Sequence, residues 1–201
     1  MKNNLIEELK KLDERLKIPL KKISMLSMDL KFRLVGEFEI GKPLLKEQLK
    51  GLGAKGIYMI KIHKSAAKGK NWESWIKDFE KKWNHFKIVN GKKRASPILY
   101  KSRIKKHKIL EEWIPLYIGK SKELTLVIDD KKKLSMGRIE QHYNHDAEHG
   151  TYSLKLNARK NLSKVRTQLS VIDLDVNEFN TIAPIVESAM RNKLNPIVGK
   201  Q

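Results

Sequence analysis

The chain has 201 residues, of which 43 are Lys or Arg and 23 are Asp or Glu, so its formal net charge is +20. A surplus of this size attracts polyanions and indicates a nucleic-acid partner, although ribosomal proteins and other non-catalytic binders share it. The chain contains no cysteine, which excludes disulfides and cysteine-ligated zinc, and no stretch approaches the roughly 18 apolar residues of a membrane span. With 40% hydrophobic residues, it can bury a core. We therefore expect a folded, cytoplasmic protein without a membrane partner.

Residues 1–50 have the apolar spacing of helices. Leu9, Leu12 and Leu16 recur every three or four residues with charged residues between them. Pro19 is expected to end this helix, and a second periodic run continues to Leu34. We expect the whole region to form a helical extension that serves as scaffold or dimer contact.

Three segments have the composition of strands. They are residues 56–62, 114–118 and 169–174, which are rich in Ile, Val, Leu and Tyr. Residues 177–193 read as a final helix. The run G-x-G-x-x-G at residues 51–56 precedes its strand, the reverse of the order in a dinucleotide-binding loop, so we expect no nucleotide cofactor.

The stretch between the first two strands is the most basic part of the chain. Residues 64–108 hold 15 Lys or Arg against 3 acidic residues. Four aromatic residues in it share one helical face and are expected to pack in the core: Trp72, Trp75, Phe79 and Trp83.

A second basic segment, residues 152–165, is also a helical candidate. The following cations are expected to contact DNA phosphates or bases rather than solvent alone: Lys92, Lys93, Arg94, Arg103 and Arg159.

Two tripeptides carry the clearest functional pattern. Gly56-Ile57-Tyr58 begins the first strand, and Tyr117-Ile118-Gly119 ends the second, with Lys120 directly behind it. Either alone is compatible with ordinary core tyrosines, but as an ordered pair they resemble the signature of the GIY-YIG nucleases. The resemblance implies that Tyr58 takes part in activating a water molecule, and that Tyr117 supports it and the phosphate. Lys120 follows a glycine that lets the backbone approach a ligand, so it is a candidate phosphate contact.

Arg138 and His142 lie four residues apart and therefore share one face of a predicted helix. This spacing is similar to that in the restriction-endonuclease branch of the GIY-YIG family. The resemblance implies that Arg138 holds the scissile phosphate and that His142 is a proton-transfer partner or general base. The alternative is an exposed helix with an ordinary Arg and His. His145 and His149 follow, but without H-E-x-x-H or cysteine we expect no structural zinc.

Glu187 in the last helix is followed nine residues later by Pro196. This spacing is similar to that between the family's metal-binding glutamate and the proline beyond it, and implies that Glu187 binds Mg²⁺ or Mn²⁺. The family has an asparagine three residues after that proline, where this chain has Gly199. Asn195, directly before Pro196, is a candidate replacement and a candidate phosphate or DNA contact. A solvent-facing helical glutamate is the alternative for Glu187.

These observations predict an α/β (α+β) fold with a small three-stranded, mainly antiparallel sheet flanked by helices. Residues 1–50 would be the helical extension and 51–201 the nuclease core, with a basic insertion at 64–112. The predicted function is that of a Mg²⁺-dependent endonuclease on double-stranded DNA, specifically a type II restriction enzyme that acts as a homodimer on a palindrome. The alternatives are a non-catalytic nucleic-acid binder and a repair or homing nuclease of the same family.

Overall fold

The computed structural model describes residues 2–84, 97–124, 127–128, 134–135, 137–146 and 152–199. Its helices are α1 (Lys2–Ser27), α2 (Trp72–Asn84), α3 (Lys101–Ile104), α4 (Arg138–Asn144) and α5 (Phe179–Leu194). Its strands are β1 (Arg33–Glu39), β2 (Gly56–His63), β3 (Ile98–Leu99), β4 (Trp113–Ser121), β5 (Val127–Ile128), β6 (Leu134–Ser135), β7 (Arg166–Asp173) and β8 (Val198–Gly199). None of the helices in these ranges is long and apolar enough to cross a bilayer.

A four-stranded antiparallel sheet in the order β1-β7-β2-β4 forms the centre of the fold. The α+β class and the three predicted strands are confirmed, and these three lie next to one another. Tyr58 on β2 is opposite Gly119 on β4 and Val171 on β7. Two further two-stranded pairs, β3 with β8 and β5 with β6, lie outside this sheet.

The fourth strand corrects the prediction of a three-stranded sheet with a wholly helical extension. Residues 33–39 form β1, which pairs with the edge of β7. Gly36 weakens a helix here, and the pairing satisfies backbone groups of β7 that would otherwise be free. The ring of Phe38 packs against that of Tyr143 at 5.8 Å. Residues 1–50 are therefore not a separate extension, because the sheet crosses the predicted boundary at residue 50.

The alternation of β2 places its side chains in two layers. Ile57 and Met59 face α5 and form one apolar cluster with it. Tyr58, Ile60 and Ile62 point to the opposite face, where they join the larger cluster. The aromatic residues of α2 belong to this larger cluster and are almost fully buried, which confirms their predicted core packing.

The C-terminal part of the chain follows the prediction in one segment and departs from it in another. The predicted last helix is present as α5, and it ends at Asn195, which has a left-handed φ of 50°. The helix predicted over residues 152–165 is wrong, because two 3₁₀ turns, Leu156–Ala158 and Lys160–Leu162, occupy this segment. Left-handed backbone at Lys155 and Lys164 separates them from their neighbours and prevents a continuous helix.

Candidate functional site

Tyr58 and His142 are joined by a buried hydrogen bond. The Tyr58 hydroxyl lies 2.7 Å from His142 Nε2, and the backbone N–H of Leu154 donates to His142 Nδ1 at 2.9 Å. A backbone N–H can only donate, so Nδ1 carries no proton and the neutral imidazole carries its proton on Nε2. His142 is therefore the donor, and the Tyr58 oxygen is the acceptor.

Burial governs the ionisation of this pair. It lowers the pKa of His142 well below its ordinary value of 6.5. Electrostatic interactions with Arg138 and with His145 lower this pKa further. Burial also raises the pKa of Tyr58 well above 10.0, with Tyr117 and Glu187 acting in the same direction. Arg138 opposes this through its charge and a hydrogen bond to the phenol. Both rings are neutral near pH 7, and Arg138 is a cation that stabilises a phenolate at Tyr58.

Tyr117 completes an aromatic group with these two rings. Its ring centroid lies 6.0 Å from that of Tyr58 and 4.9 Å from that of His142. Gly119, on the same strand, makes this arrangement possible, because a Cβ there would lie 2.4 Å from the Tyr58 hydroxyl oxygen and 2.8 Å from Tyr117 Cε1. The glycine of the second tripeptide therefore provides the space in which the two tyrosines meet.

Glu187 lies on α5 and interacts electrostatically with Tyr58. Its Oε2 accepts from Lys120 Nζ at 2.8 Å, and its Oε1 lies 2.8 Å from Arg191 Nη2. Arg191 also donates through Nε and Nη2 to the Ile118 carbonyl, at 3.1 and 2.9 Å. Its guanidinium lies 5.9 Å from the Tyr117 ring centre. Two cations thus fix the carboxylate beside the second tripeptide.

Arg191 was not among the predicted site residues. It follows Glu187 by four residues, which places both on one face of α5. The spacing E-x-x-x-R was the sequence signal that could have identified it.

Arg138 connects the aromatic group to the segment before β7. Its Nη1 donates to Gln141 Oε1 at 2.9 Å and its Nη2 to the Tyr152 carbonyl at 2.7 Å. The side chain is partly buried and acts electrostatically on Tyr58. The rings of Tyr58, Tyr117 and His142 therefore form one group. Arg138 and Glu187, from other parts of the chain, act on Tyr58 electrostatically.

Arg159, one of the predicted DNA contacts, has a different position. It is 4% exposed, it stacks at 3.5 Å over the Trp83 ring, and it donates to the carbonyls of Leu154 and Trp83. Burial lowers its pKa to about 9. The predicted phosphate contact at Arg159 is wrong in this structure, because the guanidinium is engaged inside the protein. Lys92, Lys93 and Arg94 lie outside the described residues.

Arg103 and Asn195 are two further site residues predicted from the sequence. Asn195 ends α5, and its carbonyl is 2.8 Å from His107 Nε2. Within the described part of the chain, Asn195 Oδ1 and Arg103 Nη1 are buried atoms without a hydrogen-bond partner.

Glu187 is suited to hold a divalent cation as a single carboxylate ligand. In the described ranges no three His, Asp or Glu residues are grouped for a metal, so the donor set is this carboxylate with water and phosphate oxygens, which Mg²⁺ accepts. The Lys120 side chain is 38% exposed, so it can turn to solvent and leave Oε2 to an ion. The residues present therefore fit a magnesium ion with one protein ligand.

No protein-family model, curated protein or solved structure matches this chain.

Proposed function

We propose that the protein is a Mg²⁺-dependent endonuclease that hydrolyses phosphodiester bonds of double-stranded DNA. The observation that carries this proposal is the group formed by Tyr58, Tyr117 and His142, with Tyr58 bonded to His142 at 2.7 Å. Arg138 and Glu187 act on Tyr58 electrostatically. A non-catalytic binder has no need to bring two tyrosines, a neutral histidine and a doubly paired carboxylate together. The surplus of 20 positive charges supplies the attraction to DNA.

In the proposed reaction, a water oxygen attacks the phosphorus and the bond from phosphorus to the 3′ oxygen breaks. The products are a 5′ phosphate and a 3′ hydroxyl. Tyr58 is neutral in the free site, so it would first lose its phenol proton to solvent. The phenolate, stabilised by His142 Nε2–H and Arg138, would then take the proton of the attacking water. His142 therefore acts as a donor that supports the phenolate, which differs from the general-base role suggested by the family resemblance.

The remaining charge of the transition state lies on the phosphoryl oxygens and on the leaving 3′ oxygen. Lys120, beside Glu187, and Arg138, beside Tyr58, would stabilise this charge as cations. Glu187 would hold Mg²⁺, and the bound ion would supply Lewis-acid stabilisation of the leaving oxygen.

We further propose that the enzyme is a type II restriction endonuclease that acts as a homodimer. The four-residue spacing of Arg138 and His142 supports this class, and a two-fold dimer would place one site on each strand of a palindrome. Helix α1 offers the surface for it, because its apolar residues at helical spacing are half exposed: Ile6 54%, Leu9 57%, Leu12 50% and Leu16 53%. A second copy of the same helix is the partner that such a stripe fits.

The test is incubation of the purified protein with unmethylated plasmid and phage DNA, with Mg²⁺ and with EDTA. Tyr58→Phe and Glu187→Gln are assayed beside the wild type. Both variants should lose cleavage and keep salt-dependent DNA binding, and the wild type should give discrete fragments whose ends reveal the site. Lys50→Gln, an exposed charge change away from the site, is the control and should cleave normally.

The other outcomes separate the alternatives. Wild-type turnover in both variants would contradict the assignment of the site and point to a contaminating nuclease. Smeared or nicked products that are lost in the variants would favour a repair-type nuclease. Binding without cleavage under any condition would favour the non-catalytic binder.

A further inference from the structure

Arg103 comes from the insertion between the two signature strands, yet its side chain lies beside the proposed active site. It stands on the short helix α3, directly after β3, and its guanidinium lies 4.5 Å from the Tyr100 ring centre. Strand β3 pairs with β8, and Ile98 is opposite Gly199. A Cβ on Gly199 would lie 3.9 Å from Arg103 Nη1. This is an ordinary van der Waals distance, so Arg103 and Gly199 are neighbours.

The charge of Arg103 is not neutralised within the described residues. Its pKa is lowered by burial first and by Arg191 second, while Tyr100 and Glu187 raise it. Both oxygens of Glu187 are already engaged by Lys120 and Arg191 at 2.8 Å. Arg103 Nη1 is buried and makes no hydrogen bond with any described group. A buried donor atom without a hydrogen bond is unfavourable. Arg103 as a whole is only partly buried and lies over the Tyr100 ring, so its side chain can still meet an anion from outside the chain.

The local charge identifies the chemistry of that ligand. Lys120 and Arg191 contact the Glu187 carboxylate at 2.8 Å. Arg103 interacts with it electrostatically, so three cations act on one carboxylate and leave an excess of positive charge around it. A guanidinium matches an anion with paired oxygens, and phosphate is the anion that guanidinium groups bind in two-pronged geometry.

We propose that Arg103 binds a phosphate of the DNA strand held at the Glu187 end of the site. The inference rests on the proposed function and adds to it a role for the insertion, which supplies a phosphate-binding residue to a site otherwise built from β2, β4, α4 and α5. Arg103, which is partly exposed, would contact the substrate itself.

The experiment compares Arg103→Gln with wild type and with Arg15→Gln, which removes an equal charge from the exposed face of α1. DNA binding is measured without metal by fluorescence anisotropy across a series of salt concentrations. Loss of one phosphate contact should reduce the slope of log K against log salt by about 0.9 in Arg103→Gln and leave it unchanged in Arg15→Gln. Cleavage at saturating DNA should fall about a hundredfold in Arg103→Gln.

A thermal unfolding measurement distinguishes this role from a structural one. Arg103→Gln should melt within about 4 °C of wild type or above it, because an unpaired buried donor is removed. An unchanged salt slope together with wild-type cleavage would overturn the inference, as would lower melting accompanied by an unchanged slope. A wild-type protein that binds but never cleaves DNA would overturn the proposed function, and the salt slope would still decide whether Arg103 contacts phosphate.

Discussion

Gly119 and Tyr58 are directly opposite on neighbouring strands, and the glycine leaves room for the tyrosine hydroxyl. A methyl group at residue 119 would lie 2.4 Å from that oxygen, far inside van der Waals contact. The hydroxyl cannot retreat without breaking its 2.7 Å bond to His142. The glycine of the second tripeptide therefore has a steric role, because it leaves room for the tyrosine of the first.

Gly119→Ala tests this contact. The added methyl should displace the Tyr58 ring, destabilise the protein by about 1–3 kcal/mol and abolish DNA cleavage. Urea unfolding gives the stability change, and a plasmid assay gives the activity. Gly199→Ala is the matched control, since its Cβ would meet Arg103 only at an ordinary 3.9 Å. Full activity in Gly119→Ala would show that Tyr58 does not need its observed position.

Burial of His142 gives stability a defined dependence on pH. The folded protein excludes a proton from this ring, while the unfolded chain binds one below pH 6.5. Stability contributed by this residue is thus complete above pH 6.5 and falls as the pH drops below it, by up to about 1.4 kcal/mol per pH unit. Urea unfolding of wild type and His142→Gln from pH 8 to pH 5 measures the difference.

The pH dependence of the free energy of unfolding should differ between the two proteins only below pH 6.5. The free energy of unfolding of wild type should fall more steeply than that of His142→Gln below pH 6.5, and the two should run parallel above it. Parallel curves over the whole range would mean that the folded protein accepts a proton at residue 142. That result would remove the argument that His142 is a neutral donor to Tyr58.

Local sequence patterns accounted for the three strands near residues 58, 117 and 171, for α5 and for the position of the two tyrosines. These features depend on short-range alternation and helical spacing, which the sequence displays directly. Strand β1 was missed because its seven residues gain their strand conformation from pairing with β7, more than 120 residues away. The bond between Lys120 and Glu187 also joins separate elements, so no local pattern indicates it.

The competition between Lys120 and a metal ion can be measured in the free protein. Lys120 Nζ occupies Glu187 Oε2, so Lys120→Met should leave the carboxylate more available while keeping the apolar stem. Mn²⁺, a spectroscopic substitute for Mg²⁺, should bind about threefold to fivefold more tightly, as expected for loss of a half-exposed ion pair. Electron paramagnetic resonance reports the free Mn²⁺ directly.

Glu187→Gln serves as the control in the same titration and should lose this binding. Because Lys120 also faces the phosphate in the proposed reaction, Lys120→Met should cleave DNA more slowly despite its tighter Mn²⁺ binding. Weaker Mn²⁺ binding in Lys120→Met would instead indicate that Lys120 holds Glu187 in the orientation that the metal requires.

Helix α1 provides the test of the proposed homodimer. Leu9 and Leu16 are more than half exposed, so the double change Leu9→Lys with Leu16→Lys should leave the fold intact. In sedimentation equilibrium, the wild type should show about twice the chain mass of 23.4 kDa and the double variant the mass of one chain. Two added charges within the apolar stripe would oppose pairing of like helices.

Glu7→Lys, on the opposite face of α1, is the control and should remain dimeric. If wild type and double variant sediment alike, the α1 stripe is not the dimer interface, and a monomeric wild type would instead favour an enzyme that nicks one strand at a time.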